Sequence, residues 1–253
     1  MSILTKIIET KKREVNRLKQ TLDPNKARTV PHLSFLDQFQ TQPFQVIAEF
    51  KRASPSKGII NDTLDPVTQA KTYEQYGAGM ISVLTDQSYF KGAIDDLIAV
   101  KQAVNIPVLN KEFIIDPVQL DLAYQAGADV VLLIVSALTD EALKDLYHYA
   151  IKLGLEVLVE VHDQEELKTA LALGCPLIGI NNRNLKTFTT SINQTLDLMR
   201  AIDLSGVHII SESGMKEASD VLTVKQAGAS GVLVGETLMT QNPKQLIGAF
   251  LND

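Results

Sequence analysis

The sequence contains no tryptophan, a single cysteine and only four histidines among its 253 residues. With Cys175 alone no disulfide can form within the chain, and no Cys/His cluster has zinc-ligand spacing. His32, His148, His162 and His208 are scattered, so no metal site is expected. No apolar run approaches the roughly 18 residues that would suggest a membrane span. The stretch from Met1 to Lys12 has no apolar core of the kind a secretory signal carries. Positive charge is short as well. The formal net charge of −6 argues against nonspecific nucleic-acid binding, whose affinity comes from a basic surface. A local basic pocket for one phosphate stays open. These shortages describe a reduced, cytoplasmic protein that engages neither nucleic acid nor membrane. What is present is ordinary for a globular chain: 45% apolar and 21% charged residues, over a length sufficient for one large core.

Residues 3–20 read as a basic amphipathic helix. Ile3, Ile7, Ile8, Val15 and Leu18 fall near helical spacing, between Lys6, Lys11, Lys12, Arg13 and Arg17. No bulky aromatic anchor accompanies the basic face, so a helix docked on the body of the protein is expected rather than one on a membrane. Residues 21–45 contain Pro24, Pro31 and Pro43 and read as a connector with one short helix around Ser34–Gln40. From residue 46 onward a unit repeats. Eight short runs rich in Val, Ile and Leu alternate with helical patterns: Val46–Phe50, Met80–Leu84, Pro107–Asn110, Val130–Val135, Glu156–Val161, Leu177–Ile180, Val207–Ile210 and Gly231–Val234. Nearly continuous apolar strands separated by helices indicate a parallel sheet buried on both faces.

The joints agree with this division. Gly77-Ala78, Gly127-Ala128 and Gly228-Ala229 sit where helices end, Asp65-Pro66 and Asp116-Pro117 look like an N-cap followed by proline, and Asp163 with Glu166 fits a capping box. Eight such units in about 200 residues close into a (β/α)8 TIM barrel of the α/β class. An open doubly wound sheet is the alternative, but its common forms need fewer strands. The expected organisation is an N-terminal helical extension, 1–45, packed on a single barrel, 46–253.

In such a barrel, reactive groups lie where strands end, and the polar residues gather there. Strand one ends Glu49-Phe50-Lys51, with Glu49 and Lys51 on one face by alternation. Strand three ends Asn110-Lys111-Glu112, strand five carries Glu160, strand six runs into Asn181-Asn182-Arg183, and strand seven ends Ser211-Glu212-Ser213-Gly214. An unpaired charge inside a barrel costs several kcal/mol. Three carboxylates (Glu49, Glu160, Glu212) and three cations (Lys51, Lys111, Arg183) balance in number. One such pair would be a structural ion pair; six charges over five strands indicate a reaction site. Lysine and glutamate in proximity serve as general acid and base, and no Ser–His–Asp or Cys–His arrangement competes. Acid–base chemistry without a cofactor is the simplest reading.

The loops after strands seven and eight are the common phosphate site of this fold. Here they read Glu212-Ser213-Gly214-Met215 and Gly235-Glu236-Thr237-Leu238, where glycines let backbone N–H groups approach an anion. Either glycine alone is an ordinary turn residue; the pair favours a phosphate. Ser54-Pro55-Ser56-Lys57-Gly58 after strand one reads either as a loop closing over substrate or as a surface turn. Tyr89-Phe90-Lys91-Gly92 reads either as a cover for an aromatic substrate or as packing on the rim. His162 is expected outside the barrel near a helix cap, and Cys175 as buried filler.

Several of these segments resemble one family. Ile47-Ala48-Glu49-Phe50-Lys51-Arg52-Ala53-Ser54-Pro55-Ser56 looks like the strand-one signature of indole-3-glycerol-phosphate synthase. Leu109-Asn110-Lys111-Glu112-Phe113-Ile114, Val159-Glu160-Val161-His162, Gly179-Ile180-Asn181-Asn182-Arg183-Asn184-Leu185, Ser211-Glu212-Ser213-Gly214 and Val234-Gly235-Glu236 resemble its later motifs in order. Ile3-Leu4-Thr5-Lys6-Ile7 is similar to its extra helix. The resemblance implies conversion of 1-(2-carboxyphenylamino)-1-deoxyribulose 5-phosphate into indole-3-glycerol phosphate, carbon dioxide and water. It implies Lys111 as general acid, Glu160 as base for the dehydration, Lys51 on the substrate carboxylate and Glu49 orienting a lysine. Asn181, Glu212 and Ser213 would bind substrate, and Ser54, Arg183, Gly214 and Gly235 would lie at the phosphate. Glu236 stands where a small hydroxyl residue would add a hydrogen bond, so only its backbone N–H is expected there. The implied partner is a small phosphorylated aromatic amine, with a monomer and no obligate protein partner. Phosphoribosylanthranilate isomerase, a related phosphate-binding barrel, would need a cysteine after strand one and an aspartate after strand six, where this chain has Lys51 and Asn181. A noncatalytic metabolite-binding barrel would have no use for Lys51, Lys111 and Glu160 together.

Overall fold

The computed structural model describes residues 2–184 and 187–252; Leu185, in the strand-six motif, lies outside the described residues. Eight strands form one closed barrel: β1 (Gln45–Phe50), β2 (Met80–Leu84), β3 (Val108–Lys111), β4 (Val130–Ile134), β5 (Glu156–Val161), β6 (Leu177–Asn181), β7 (His208–Glu212) and β8 (Gly231–Val234). Every neighbouring pair is parallel, and β8 returns to β1. Helices follow each strand, so the chain is a (β/α)8 TIM barrel with an added N-terminal helix, α1 (Ile3–Thr21).

The boundaries shift where polarity misleads. β3, β6 and β7 continue through Lys111, Asn181 and Ser211-Glu212, because backbone pairing persists after the apolar run ends. Period-two alternation then sorts the side chains. Val157, Val159 and Val161 of β5 face the surrounding helices, while Leu158 joins Ile47, Met80, Leu109, Leu132, Ile210 and Leu233 inside the barrel. This inner layer is the floor on which the charged residues stand.

The expected joints are present. Asp65 and Asp116 cap their helices with side-chain oxygens, each before a proline. Gly77, Gly127 and Gly228 take φ of 98°, 92° and 100°. Asp163 accepts the Glu166 N–H at 2.9 Å, but Glu166 reaches back to the N–H of His162 at 2.8 Å rather than to the cap residue.

The N-terminal segment runs along the barrel from top to bottom. Ile7, Lys11 and Val15 are the buried stripe of α1. Below it, Arg28 pairs with Asp129 at 2.7 Å, and Phe35, fully buried, closes the barrel floor beneath β5, where Glu156 accepts its N–H at 2.9 Å. The short helix of this segment spans Gln38–Thr41, later than the apolar pattern places it, because Ser34 Oγ holds a turn by accepting the Asp37 N–H.

Candidate active site

The C-terminal ends of the strands surround a cleft lined by Glu49, Lys51, Lys111, Glu160, Asn181 and Glu212. Its floor is ionic. Lys111 Nζ lies 3.0 Å from Glu160 Oε2 and 2.5 Å from Glu212 Oε2. Glu49 Oε1 holds Lys51 Nζ at 2.7 Å. Glu49, Glu160 and Glu212 are buried, whereas Lys51 opens toward the cleft. Burial opposes the charge on Lys111, but Glu212, Glu160 and Glu49 outweigh it and hold the ammonium well above the usual lysine range. Burial also works against the Glu160 carboxylate; Lys111, His162 and Asn181 prevail and keep it below the usual carboxylate range. For Glu212 burial wins over Lys111, helped by the like charges of Glu160 and Glu49, and its carboxyl is pushed up to about 7.

Asn181 locks this arrangement from β6. Its Oδ1 accepts the Arg183 backbone N–H at 3.0 Å, which turns its Nδ2 toward Glu160 Oε1 at 3.1 Å. Gly179 supplies room: a Cβ there would meet Glu212 Oε1 at 2.0 Å.

The β7 and β8 loops line an adjoining cavity that shares Lys51, Arg183, Ser213 and Glu236 with the cleft. Ser213 and Gly214 take φ of 67° and 89°, and Gly235 and Glu236 begin the short helix Glu236–Thr240. Ser54 sits in a two-stranded ribbon with Gly58–Ile59, and Arg183 donates to Ser56 Oγ at 3.1 Å. The ribbon is therefore not a plain surface turn; Ser54, Pro55 and Ser56 line the cleft. The Glu236 carboxylate faces Lys57 of the same ribbon at 3.1 Å, both half exposed, a use of this side chain that the sequence reading left out. The opposite wall is apolar: Phe90, Phe113, Leu132 and Ile134, with Ile3, Leu4 and Ile7 of α1 above them. Of the rim segment, Phe90 faces the cleft, while the Tyr89 hydroxyl packs on α1, donating to Lys6 O at 3.2 Å.

Two residues stand elsewhere than their sequence implied. His162 is not outside the barrel: its Nε2 approaches Glu160 Oε1 at 3.3 Å, an ion-pair distance without hydrogen-bond alignment. β5 ends at Val161, and His162, in the bend that follows, turns its ring back toward Glu160. It is His162, rather than Arg183, that stands as the third basic side chain beside these carboxylates. Lys11 is not on a solvated face either. It is 2% exposed, and its Nζ lies 2.7 Å from Asp86 and 2.9 Å from Glu112, the residue after Lys111. The signal was its spacing: Lys11 is four residues from both Ile7 and Val15, and so belongs to the buried stripe. Cys175 is buried, its thiol pushed up to about 12 by burial, as filler requires. Among the described residues no group of three or more His, Cys, Asp or Glu side chains is arranged to hold a metal ion, and no helix is long and apolar enough to cross a membrane.

A family model described as indole-3-glycerol phosphate synthase matches residues 4–250. The chain belongs to the indole-3-glycerol phosphate synthase family. The indole-3-glycerol phosphate synthase of a Bacillus cereus strain is 51% identical over 252 residues, 100% of this chain and 97% of that one. That of Oceanobacillus iheyensis is 51% identical over 243 residues, 96% of this chain and 93% of that one. The solved N-acetylmannosamine-6-phosphate 2-epimerase of Clostridium perfringens superposes with a TM-score of 0.64 at 14% identity, over 87% of this chain and 96% of that one, a likeness of fold alone. As an indole-3-glycerol phosphate synthase family member, the chain is a carboxy-lyase of tryptophan biosynthesis that closes a ring with loss of carbon dioxide, acting on a phosphorylated aromatic substrate.

Proposed function

We propose that the ionic floor carries the ring closure of 1-(2-carboxyphenylamino)-1-deoxyribulose 5-phosphate through the following roles. Lys111 protonates the ribulose carbonyl oxygen as the aromatic ring attacks its carbon. Carbon dioxide then leaves from the ring carbon that made the attack, and the electrons of the broken bond restore the aromatic ring. Glu160 removes the proton lost in the dehydration, and the departing hydroxyl is protonated by a lysine. Lys51 holds the substrate carboxylate and is itself aimed by Glu49. Asn181 and Glu212 keep the acid and the base in register and bound to substrate, with Ser213 beside them. Ser54, Arg183, Gly214, Gly235 and the backbone N–H of Glu236 receive the phosphate.

The observation that carries this reading is the position of Lys111 between Glu160 and Glu212 at the base of the cleft. A charged lysine beside an ionised glutamate is the protonation state that the first step needs. At 3.0 Å the base can also return a captured proton to the acid. An anion-binding loop that fixes the phosphate end of a flexible molecule, with Lys51 and the ionic floor beside it, would lower the entropic barrier to closure. The apolar wall of Phe90, Phe113, Leu132 and Ile134 suits the aromatic ring. This reading takes residues 1–45 as an extension on the catalytic barrel 46–253, and the enzyme as a cytoplasmic monomer.

The test uses the absence of tryptophan. Substrate is added to the purified protein and indole emission is followed against a background free of protein indole. Emission that grows in proportion to enzyme supports the scheme. Substrate binding without emission by a folded protein would favour the noncatalytic barrel.

A further inference from the structure

The imidazole of His162 belongs to no role above, yet the residue is fixed at three points, one on the ring and two on the backbone. Its Nδ1 lies 3.1 Å from Glu166 Oε2, the same oxygen accepts its backbone N–H at 2.8 Å, and Gln194 Nε2 donates to its carbonyl at 2.7 Å. Glu166 is itself set by the helix Gln164–Ala172, whose cap Asp163 takes its N–H. Nε2 is buried with no hydrogen-bond partner and faces Glu160 Oε1 at 3.3 Å. A neutral imidazole carries a proton on one nitrogen only, so it would turn a lone pair toward one of two carboxylates. Only the doubly protonated ring suits both.

The oxygens of Glu160 are thus divided. Oε2 faces Lys111; Oε1 takes the Asn181 amide and faces His162. We propose that His162 is a positioning residue for Glu160, a second cation anchored by Glu166 that keeps this carboxylate oriented and charged when Lys111 gives up its proton. The inference rests on the reading of Lys111 as acid and Glu160 as base. Once Lys111 is neutral, Glu160 loses the cation on Oε2, and a carboxylate left alone in a buried site takes up a proton. A base protonated at that point could not serve the dehydration. The imidazolium on the other oxygen remains through the step. The charged groups around it are Glu160 on the preceding strand β5, Glu166 on the following helix, Lys111 and Glu212 beyond Glu160, and Asp163 and Arg183 along the polar cavity that His162 also lines. Burial lowers the affinity of His162 for its proton, but Glu160 and Glu166 together raise it to about 10, so the ring stays charged across the working range.

The experiment is the pH profile of kcat in three variants, with the imidazole followed by NMR in the unaltered enzyme. His162→Gln removes the cation, and the acidic limb of kcat moves up by about one to three pH units, with KM little changed. Glu166→Gln leaves the imidazolium charged at acid pH, so its limb stays in place although kcat falls. A merely structural role would lower kcat in both variants and move neither limb, and that result would overturn the proposal. Should His162→Gln fail to fold, NMR decides: a His162 ring doubly protonated at about pH 8, where an unperturbed histidine is neutral, supports the proposal, and a neutral ring overturns it. Glu160→Gln separates the two readings. Full turnover in that variant removes Glu160 from the base role itself; an inactive Glu160→Gln with an unmoved limb in His162→Gln overturns only the role of His162.

Discussion

Gly235 leaves open the space that Glu49 occupies. A Cβ at position 235 would lie 2.4 Å from Glu49 Oε1 and 3.0 Å from Lys51 Nζ. The backbone φ there is −115°, which any residue adopts, so glycine is required for room and not for conformation. Gly235→Ala is expected to displace the Glu49–Lys51 pair. Misplacing a reacting group by an ångström costs about 10²-fold, so kcat/KM should fall by about that factor, and overpacking should cost about 1–3 kcal/mol of stability. Steady-state kinetics with a denaturation curve checks both; unchanged kinetics would mean that the pair tolerates the shift.

Lys111→Ala removes the acid and leaves the phosphate end intact. Turnover should fall by about 10²–10⁴-fold, the usual worth of general acid catalysis, while a phosphate-bearing product analogue keeps most of its affinity by calorimetry. Near-normal turnover would remove Lys111 from the proposed role.

How far the sequence could be read follows from what each signal depends on. The eight strands were legible because parallel strands are apolar on both faces, and their inner charges stood out as interruptions. Lys51, Lys111, Glu160 and Glu212 were found in that way, by position at strand ends. Strand ends were read short, at Asn110, Ile180 and Ile210, because apolarity stops before backbone pairing does. His162 was hidden for another reason: β5 was read with its observed end at Val161, and nothing in the sequence shows that the next residue turns back toward Glu160. Lys11 was hidden by its own charge: a lysine on an amphipathic helix is normally solvated, and only Asp86 and Glu112, far along the chain, make its burial favourable. Gly179 and Gly235 gave no sign of their second purpose, since the side chains that fill their space come from other strands.

Glu212 gives a prediction for stability against pH. Its carboxyl is raised by burial to about 7 in the folded protein, against roughly 4.3 in an unfolded chain. A raised carboxyl binds its proton better when folded. Its contribution is therefore fully present below about pH 4 and lost as pH rises through about 7. Glu212→Gln, which cannot ionise, escapes that loss. The stability of the variant relative to the parent should improve by ~1–3 kcal/mol between pH 5 and pH 8, seen in paired thermal melts. A difference that is flat with pH would show that Glu212 is ionised throughout.

Lys11 ties α1 to the barrel mouth, so its loss should be felt in both stability and substrate binding. Lys11→Met keeps the length and the apolar stem but removes the charge. Asp86, fully buried, and Glu112 would then face each other without a cation, and breaking a buried pair in this way costs about 3–5 kcal/mol. For a chain of this size each kcal/mol lowers the melting temperature by about 2–4 °C, so a fall of about 6 °C or more is expected. Burial already raises the Glu112 carboxyl, with Lys11 opposing. Without Lys11 it would rise further, and relief by protonation should make the defect smaller at acid pH than at neutral pH. Ile3, Leu4 and Ile7 of α1 form part of the cleft wall, so a loosened helix should raise KM more than it lowers kcat. A variant that melts like the parent, with the same KM, would mean that the apolar contacts of Ile7 and Val15 hold α1 in place without the buried charge.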